Sequence, residues 1–290
     1  MIFEPLARPT VNIAMVEIPA FRTLFGRSRP LIGVIHLPPL PGSPRFQGDL
    51  KAITDRVRRD ARSLRQGGAS GMILENFGDA PFHPERVEPA TVALMTTFAL
   101  VAREASDLPL GINVLRNDAE AALAVALAGG GAFIRVNVHV GAMLTDQGII
   151  QGRAHETLRL RERLGAEVAV FADLQVKHAA PLVPRAIEEE AEEAARRGLA
   201  DALILTGSMT GKAVNFSHLE AVKQRMPSVP LLAGSGGTLN NVRKIFPFAD
   251  GLIVGTALKI GGRVEAPVDP EAVRKLVAAI ESTAPGAGKQ

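Results

Sequence analysis

The residues best suited to chemistry lie between positions 229 and 258, in VPLLAGSGGTLNNVRKIFPFADGLIVGTAL. An apolar run over 229–233 stops at Gly234-Ser235-Gly236-Gly237, and a second over 252–254 stops at Gly255-Thr256. Two parallel strands ending side by side would present two sets of free backbone N–H groups at one sheet edge. Glycine lets a phosphate come close to such backbone, and a helix N-terminus adds a favourable dipole. Gly234, Ser235, Gly236, Gly255 and Thr256 are therefore candidate phosphate ligands. The plainer alternative is two tight turns that need glycine only for geometry. Recurrence of the pattern one βα unit apart favours phosphate. A helix is expected to start near Thr238, with its hydroxyl as the cap.

Other apolar runs end on polar residues: His36, Glu75, Asn113, Asn137, Asp173 and Thr206. Lys177, His178, Lys212 and Lys259 follow just beyond such ends. An imidazole titrates near neutrality, so His36 is a candidate general base or acid. A histidine hydrogen-bonded to a barrel rim accounts for it equally well. Asp173 could be a general acid, a base or a metal ligand, against the alternative of capping a nearby turn. Glu75 has the same options. Glu75, Asn113, Asn137, Lys177 and Thr206 are candidates for orienting a substrate. Each lysine could form a Schiff base or hold an anion, and a solvated or phosphate-pairing lysine is the simpler reading. Arg116 and Arg135 could meet a substrate carboxylate or phosphate, and an internal ion pair explains Arg135 as well. A divalent metal is conceivable, but no HExxH or His-x-His spacing marks a site, and no cofactor is expected. Gly207-Ser208 and Gly211-Lys212 suggest another anion-tolerant loop without the spacing of a P-loop.

The elements needed to position these groups can be read along the chain. Apolar strand candidates cover 31–36, 71–74, 110–115, 132–138, 168–172, 202–205, 229–233 and 252–254. Helix candidates alternate with them at 49–66, 89–105, 119–128, 152–164, 185–197, near 217–226, after Thr238, and from Asp269-Pro270 to about 282. Asp118 or Asn117 can cap the third helix, and Asp269 can cap the last with Pro270 at its first position. Short strands, apolar on both faces, are what a buried parallel sheet requires. The pattern predicts a (β/α)8 TIM barrel over 30–283, an extension over 1–29 and a frayed tail over 284–290. Active groups of such barrels sit at the C-terminal strand ends, and loops after strands seven and eight often hold phosphate. The extension is expected to cover the barrel bottom, pair with another subunit or stay partly loose. The segment AIEEEAEEAARRG reads as a solvated helix face.

Composition narrows the classes further. With 290 residues and 22% charged, the chain suits one barrel-sized domain. The 33 basic residues barely exceed the 30 acidic ones and are spread out, and aromatics are 4%, so no nucleic-acid surface is expected. Absence of Cys excludes disulfides, thiolate catalysis and Cys-ligated metals. No run approaches the roughly 18 apolar residues of a membrane span. The N-terminal residues lack the pattern of a secretory signal, so a cytoplasmic location is expected.

LIGVIHLPPLPGSPRF at 31–46 strongly resembles the opening motif of the BtpA/SgcQ family. GINVLRNDAEAALAVA at 111–126, FIRVNVHVGAMLTDQGIIQG at 133–152, LLAGSGGTLNNV at 231–242, ADGLIVGTALK at 249–259 and PVDPEAVRKLV at 267–277 resemble later parts of it. The resemblance covers about residues 30 to 280. It implies a ribulose-phosphate-binding type of TIM barrel. The family takes its name from photosystem I biogenesis in cyanobacteria, although relatives occur in non-photosynthetic organisms. The chain is also distantly similar to phosphoribosylanthranilate isomerase, which pairs a Cys base on strand one with an Asp acid on strand five. Here those positions hold His36 and Asp173.

Two functions follow as expectations. The first is an enzyme that binds a phosphorylated small molecule, with a sugar phosphate expected, and moves protons in an isomerase- or lyase-type step, with His36 as base and Asp173 as acid. The second is a non-enzymatic assembly factor for a membrane complex. A homo-oligomer is expected by analogy with barrels of this kind.

Overall fold

The computed structural model describes residues 20–207 and 215–283. Ser208 and Lys212, the residues 1–19 and the tail 284–290 lie outside the described residues. Eight parallel strands close into a barrel: β1 (Leu31–His36), β2 (Gly71–Glu75), β3 (Leu110–Asn113), β4 (Phe133–Val136), β7 (Ala169–Leu174), β9 (Ala202–Leu205), β10 (Leu231–Ala233) and β11 (Gly251–Val254). Their order around the ring is β1-β11-β10-β9-β7-β4-β3-β2. Thus β10 faces β3 across the barrel, and β1 faces β7.

Successive strand side chains point to opposite faces, so every second residue enters the barrel. Ile32, Val34, Ile73, Phe133, Ala169, Phe171, Ala202, Ile204, Leu232 and Ile253 form one interior cluster. Continuing that parity towards the C-terminal ends reaches His36, Glu75, Arg135, Asp173, Thr206, Gly234 and Gly255. Register adds a common height, because His36 pairs with Glu75 and Glu75 with Asn113. The apolar filling therefore gives way to polar groups at one level on neighbouring strands.

At the other end, helix α1 (Phe21–Phe25) brings Phe25 against Phe133 and Phe171, with ring centroids 5.7 and 6.2 Å apart. The segment just before β1 thus covers the barrel bottom.

Outside the ring lie α2 (Leu50–Gln66), α3 (Pro89–Ala105), α4 (Ala119–Gly129), α5 (Ala154–Arg163), α6 (Ile187–Glu192), α7 (Phe216–Arg225), α8 (Val242–Ile245) and α9 (Pro270–Glu281). Asp49, Asp118 and Asp269 accept backbone N–H bonds from Ala52, Ala121 and Glu271, ending α2, α4 and α9 at their N-termini. The helix expected from Thr238 is reduced to α8. Asn241 is the cause: its Oδ1 accepts from the Thr238 N–H and its Nδ2 donates to the Gly236 carbonyl, folding 236–241 into a turn. The helix expected over 185–197 changes to a π turn at Glu193–Arg197.

Beyond β4 the loop contains the hairpin β5 (Ala142–Thr145) and β6 (Gly148–Gln151), joined by β8 (Ala179–Pro181) from the loop after β7. These strands of three or four residues are too short to stand out from loop sequence. Met143 and Ile150 fix them by packing on Val138 and Val176. Among the described residues, no helix is long and apolar enough to cross a membrane.

Phe25→Ala removes the ring that closes the barrel bottom. Urea unfolding should show a loss of about 3 kcal/mol, the lower range for burying and then deleting a phenyl group. Ligand binding at the opposite end should be unchanged when measured in the same variant.

Candidate active site

The C-terminal mouth of the barrel holds a cavity of about 680 Å³. His36, Glu75, Asn137, Lys177, Gly234, Ser235, Gly236, Gly255 and Thr256 all line it, joined by Arg135 and Arg116. Nine of the expected ligand and catalytic positions therefore line one cavity. Asn113, Asp173 and Thr206 do not line it. Asn113 Nδ2 instead donates to the Arg135 carbonyl and to Asn137 Oδ1. Thr206 Oγ1 donates to the Gln175 carbonyl.

Asp173 lies behind the cavity lining, bonded to two residues that do line it, Arg135 and Asn137. Arg135 donates to Asp173 through two nitrogens, at 3.0 and 2.9 Å, and Asn137 Nδ2 adds a third bond at 2.9 Å. The Asp173 side chain has no exposed surface. Both carboxylate oxygens are committed to Arg135 and Asn137, and neither lines the cavity where a substrate would sit. The expected role of Asp173 as general acid does not fit this geometry. Asp173 positions Arg135 and Asn137.

Glu75 is a strand-end acid that does line the cavity. It lies beside His36, with Glu75 Oε1 3.8 Å from His36 Nε2. Burial pushes the Glu75 carboxyl above its ordinary range, although the charge of Arg135 opposes this. Burial holds His36 well below its ordinary value, and the positive charges of Lys259, Lys177 and Arg135 act in the same direction. The imidazole is therefore neutral. Phe77 lies against it with ring centroids 4.7 Å apart, and among the described residues His36 Nδ1 has no hydrogen-bond partner.

The glycine loops divide their tasks. A Cβ on Gly255 would come within 2.5 Å of His36 Cε1, so glycine there makes room for the imidazole. Gly236 has φ of +67°, a conformation that side chains disfavour. Ser235 is buried, and its Oγ accepts from the Gly207 N–H at 2.8 Å. Among the described residues, the N–H groups of Ser235, Gly236 and Gly237 meet no backbone acceptor. Ser235, Gly236 and Gly237 line the same cavity as His36.

Lys177 stands across the ring from His36. Burial brings its ammonium down to about 8, with Arg135 contributing in the same direction. Gln175 and His178, on either side of it, have φ of 48° and 55°. Such left-handed backbone at non-glycine residues is costly and must be held in place. Glu190 supplies one tether, accepting from the Gln175 N–H at 3.0 Å. Glu190 belongs to the helix face that reads in the sequence as merely solvated, yet it is buried. Lys259 is elsewhere: its Nζ lies 3.3 Å from Asp60 in a fully buried pair that fixes α2 to the segment after β11. Asp60 also accepts from Arg56 and from the Val268 N–H. Among the described residues, no group of three or more His, Asp or Glu converges as a metal site.

Arg45, Phe77, Phe82 and Asp146 line the cavity without having been marked by the sequence. They sit in proline-bearing or polar loops whose paths are set by tertiary contacts, so no period or spacing points to them.

Removing Asp173 would leave Arg135 buried and unpaired. Asp173→Ala should lose about 3–5 kcal/mol in urea unfolding, the cost of breaking a buried pair from one side.

The sequence profile of the BtpA family matches residues 27–282. Photosystem I biogenesis protein BtpA of Synechocystis is 43% identical over 256 residues, covering 88% of this chain and 89% of that protein. An uncharacterized protein of Thermococcus kodakarensis is 45% identical over 249 residues, covering 86% and 94%. Among solved structures, thiamine phosphate pyrophosphorylase from Pyrococcus furiosus superposes with a TM-score of 0.54 at 16% identity, covering 89% of this chain and 98% of that one. N-(5'-phosphoribosyl)anthranilate isomerase from Pyrococcus furiosus gives 0.53 at 13% identity, covering 88% and 100%. Likeness at these identities establishes the shared barrel fold and nothing finer. Identity across nearly the whole barrel, together with the profile match, shows that this chain belongs to the BtpA family.

Proposed function

We propose that this chain binds a phosphorylated small molecule, a sugar phosphate, at the barrel mouth and catalyses a proton transfer of the isomerase or lyase type. The observation that carries the reading is a neutral imidazole and a buried carboxyl in register on β1 and β2, facing one cavity with two loops rich in free N–H groups. Two proteins with this fold are named for phosphorylated compounds, one as an isomerase and one as a pyrophosphorylase, which supports the reading.

In this proposal Ser235, Gly236, Gly255 and Thr256 hold the phosphate through backbone N–H groups and hydroxyls, and Gly234 lets the loop pack. A carbon next to a carbonyl then lies over His36. The imidazole takes the proton from that carbon, and the Glu75 carboxyl gives its proton to the carbonyl oxygen. The product is an enediol; the imidazole returns its proton to the former carbonyl carbon while the Glu75 carboxylate takes the proton of the hydroxyl on the other carbon, which completes an isomerisation and restores both groups. Bringing in a phosphate dianion offsets the positive charges that depress His36, so ligand binding raises the basicity of the imidazole when it is needed. Asn137 and Lys177 orient the oxygens, and Lys177 adds positive charge as the enolate forms.

Purified protein should gain thermal stability with a matching sugar phosphate, because a ligand bound only to the folded state raises the melting temperature by mass action. Gly236→Asp should lose that gain. His36→Ala should keep the gain and lose turnover. Absence of a shift with every phosphate tried, or full turnover in His36→Ala, would remove the assignment.

A second reading has its own observation. Leu144 and Ile149 are cross-strand partners on the outer face of the small sheet, 52% and 53% exposed, and Leu182 nearby is 49% exposed. This apolar strip could dock a partner, as an assembly role like that in the name of the Synechocystis relative would require. If so, this chain should restore photosystem I when it replaces that relative, and Leu144→Asp with Ile149→Asp should abolish the rescue while His36→Ala preserves it. The same strip is the candidate face for a homo-oligomer.

A further inference from the structure

Among the described residues, two buried arginines line the mouth cavity, in different circumstances. Arg135 is neutralised within the protein by Asp173. Arg116, in the segment after β3, is 8% exposed and lines the same cavity. Its guanidinium gives a hydrogen bond to the Lys177 carbonyl, and among the described residues it has no ion-pair partner. The acids that act on it from a distance are Asp173, Asp146 and Glu75. Asp173 is committed to Arg135. Asp146 sits at the hairpin tip, bonded to the side chain of Gln147. Glu75 is in the catalytic pair. A buried, unpaired cation is costly to keep. A fork of donors facing a cavity suits an anion from outside, since guanidinium matches carboxylate and phosphate geometry.

The ring order places this cation. The β3 strand, which leads to Arg116, lies diametrically opposite β10, which leads to the Gly234–Gly237 loop. Lys177 follows β7, two strands from β3 on one side, and the exposed Arg45 lines the rim from the loop after β1. The cavity of about 680 Å³ leaves room beyond a short sugar phosphate. We infer that Arg116, with Lys177 beside it and Arg45 at the rim, holds a second anionic group of the substrate across the barrel from the phosphate loops. The substrate class is then a two-ended anion: a phosphate monoester at one end, a carboxylate or second phosphate at the other. The reacting carbons lie between, over His36 and Glu75. This inference rests on the proposed phosphate site and deepens it.

Inorganic phosphate is a probe that does not depend on the length of the true substrate. Titration followed by calorimetry and 31P NMR should find two phosphate sites in the wild-type chain. Gly236→Asp should remove one and Arg116→Gln the other. Acetate should displace phosphate from the Arg116 site if the second end is a carboxylate, and leave it in place if that end is a phosphate. In phosphate-free buffer Arg116→Gln should melt at the same temperature or higher, because it removes an uncompensated buried charge. A clear fall in melting temperature would show that Arg116 serves the fold, and would overturn the inference. So would two sites surviving in Arg116→Gln, or a single site lost only in Gly236→Asp or lost in both variants. A single site lost only in Arg116→Gln would keep the second-anion site and remove the phosphate loops from the account. No binding in the wild type would overturn both.

Discussion

The bidentate pair between Arg135 and Asp173 is the interaction on which the rest of the mouth depends. Below it the barrel is filled by aliphatic and phenyl groups, and above it the cavity begins. The pair closes the apolar interior with a charge that is satisfied at short range. It also sets the field of the site. The positive charge of Arg135 depresses His36, Glu75 and Lys177 alike. Burial works on the same three groups, lowering the two bases and raising the acid. The outcome is an imidazole kept neutral and a carboxyl pushed towards its protonated form, 3.8 Å apart. Groups whose environments pull them from their ordinary values in this way are what proton transfer near neutral pH calls for.

Ring topology gives this chemistry a direction. One diameter runs from β1 to β7 and carries His36 at one end and Lys177 at the other. The crossing diameter runs from β10 to β3 and carries the glycine loop at one end and Arg116 at the other. A ligand held along the second diameter would have its middle exposed to the first. The buried pair of Lys259 and Asp60 lies outside the ring but serves the same order, because it anchors the segment that follows the Gly255 turn. Fixed loops of this kind matter for a site proposed to hold phosphate with backbone groups, since loose N–H donors would lose in entropy what they gain in bonding.

Much of this was legible in the sequence, and the parts that were not have identifiable causes. The barrel follows from eight short apolar runs and the helices between them, and the aspartates at 49, 118 and 269 mark helix starts by local chemistry alone. The polar strand ends followed from the same pattern, which is why His36, Glu75 and Lys177 could be named. Their partners could not. Whether Asp173 faces substrate or Arg135 depends on a contact across 38 residues. Whether Lys259 enters the cavity or meets Asp60 depends on one across 199. Neither separation leaves a trace in spacing. The hairpin after β4 was missed because its strands are very short and Met143 and Ile150 define it only once packed. The helix expected to start at Thr238 starts instead after Asn241, whose side chain bonds back to the Thr238 N–H and the Gly236 carbonyl and folds the residues between into a turn.

The central claim is that His36 and Glu75 move a proton on a phosphorylated carbonyl compound held at the barrel mouth. The most direct test is hydrogen exchange at carbon. The chain is incubated in D2O with ketose and aldose phosphates of graded length, and 1H NMR follows loss of the signal beside the carbonyl. The account predicts deuterium uptake at that carbon for at least one compound, lost in His36→Ala and strongly slowed in Glu75→Gln. Binding of a sugar phosphate at the mouth without exchange at any carbon would contradict it.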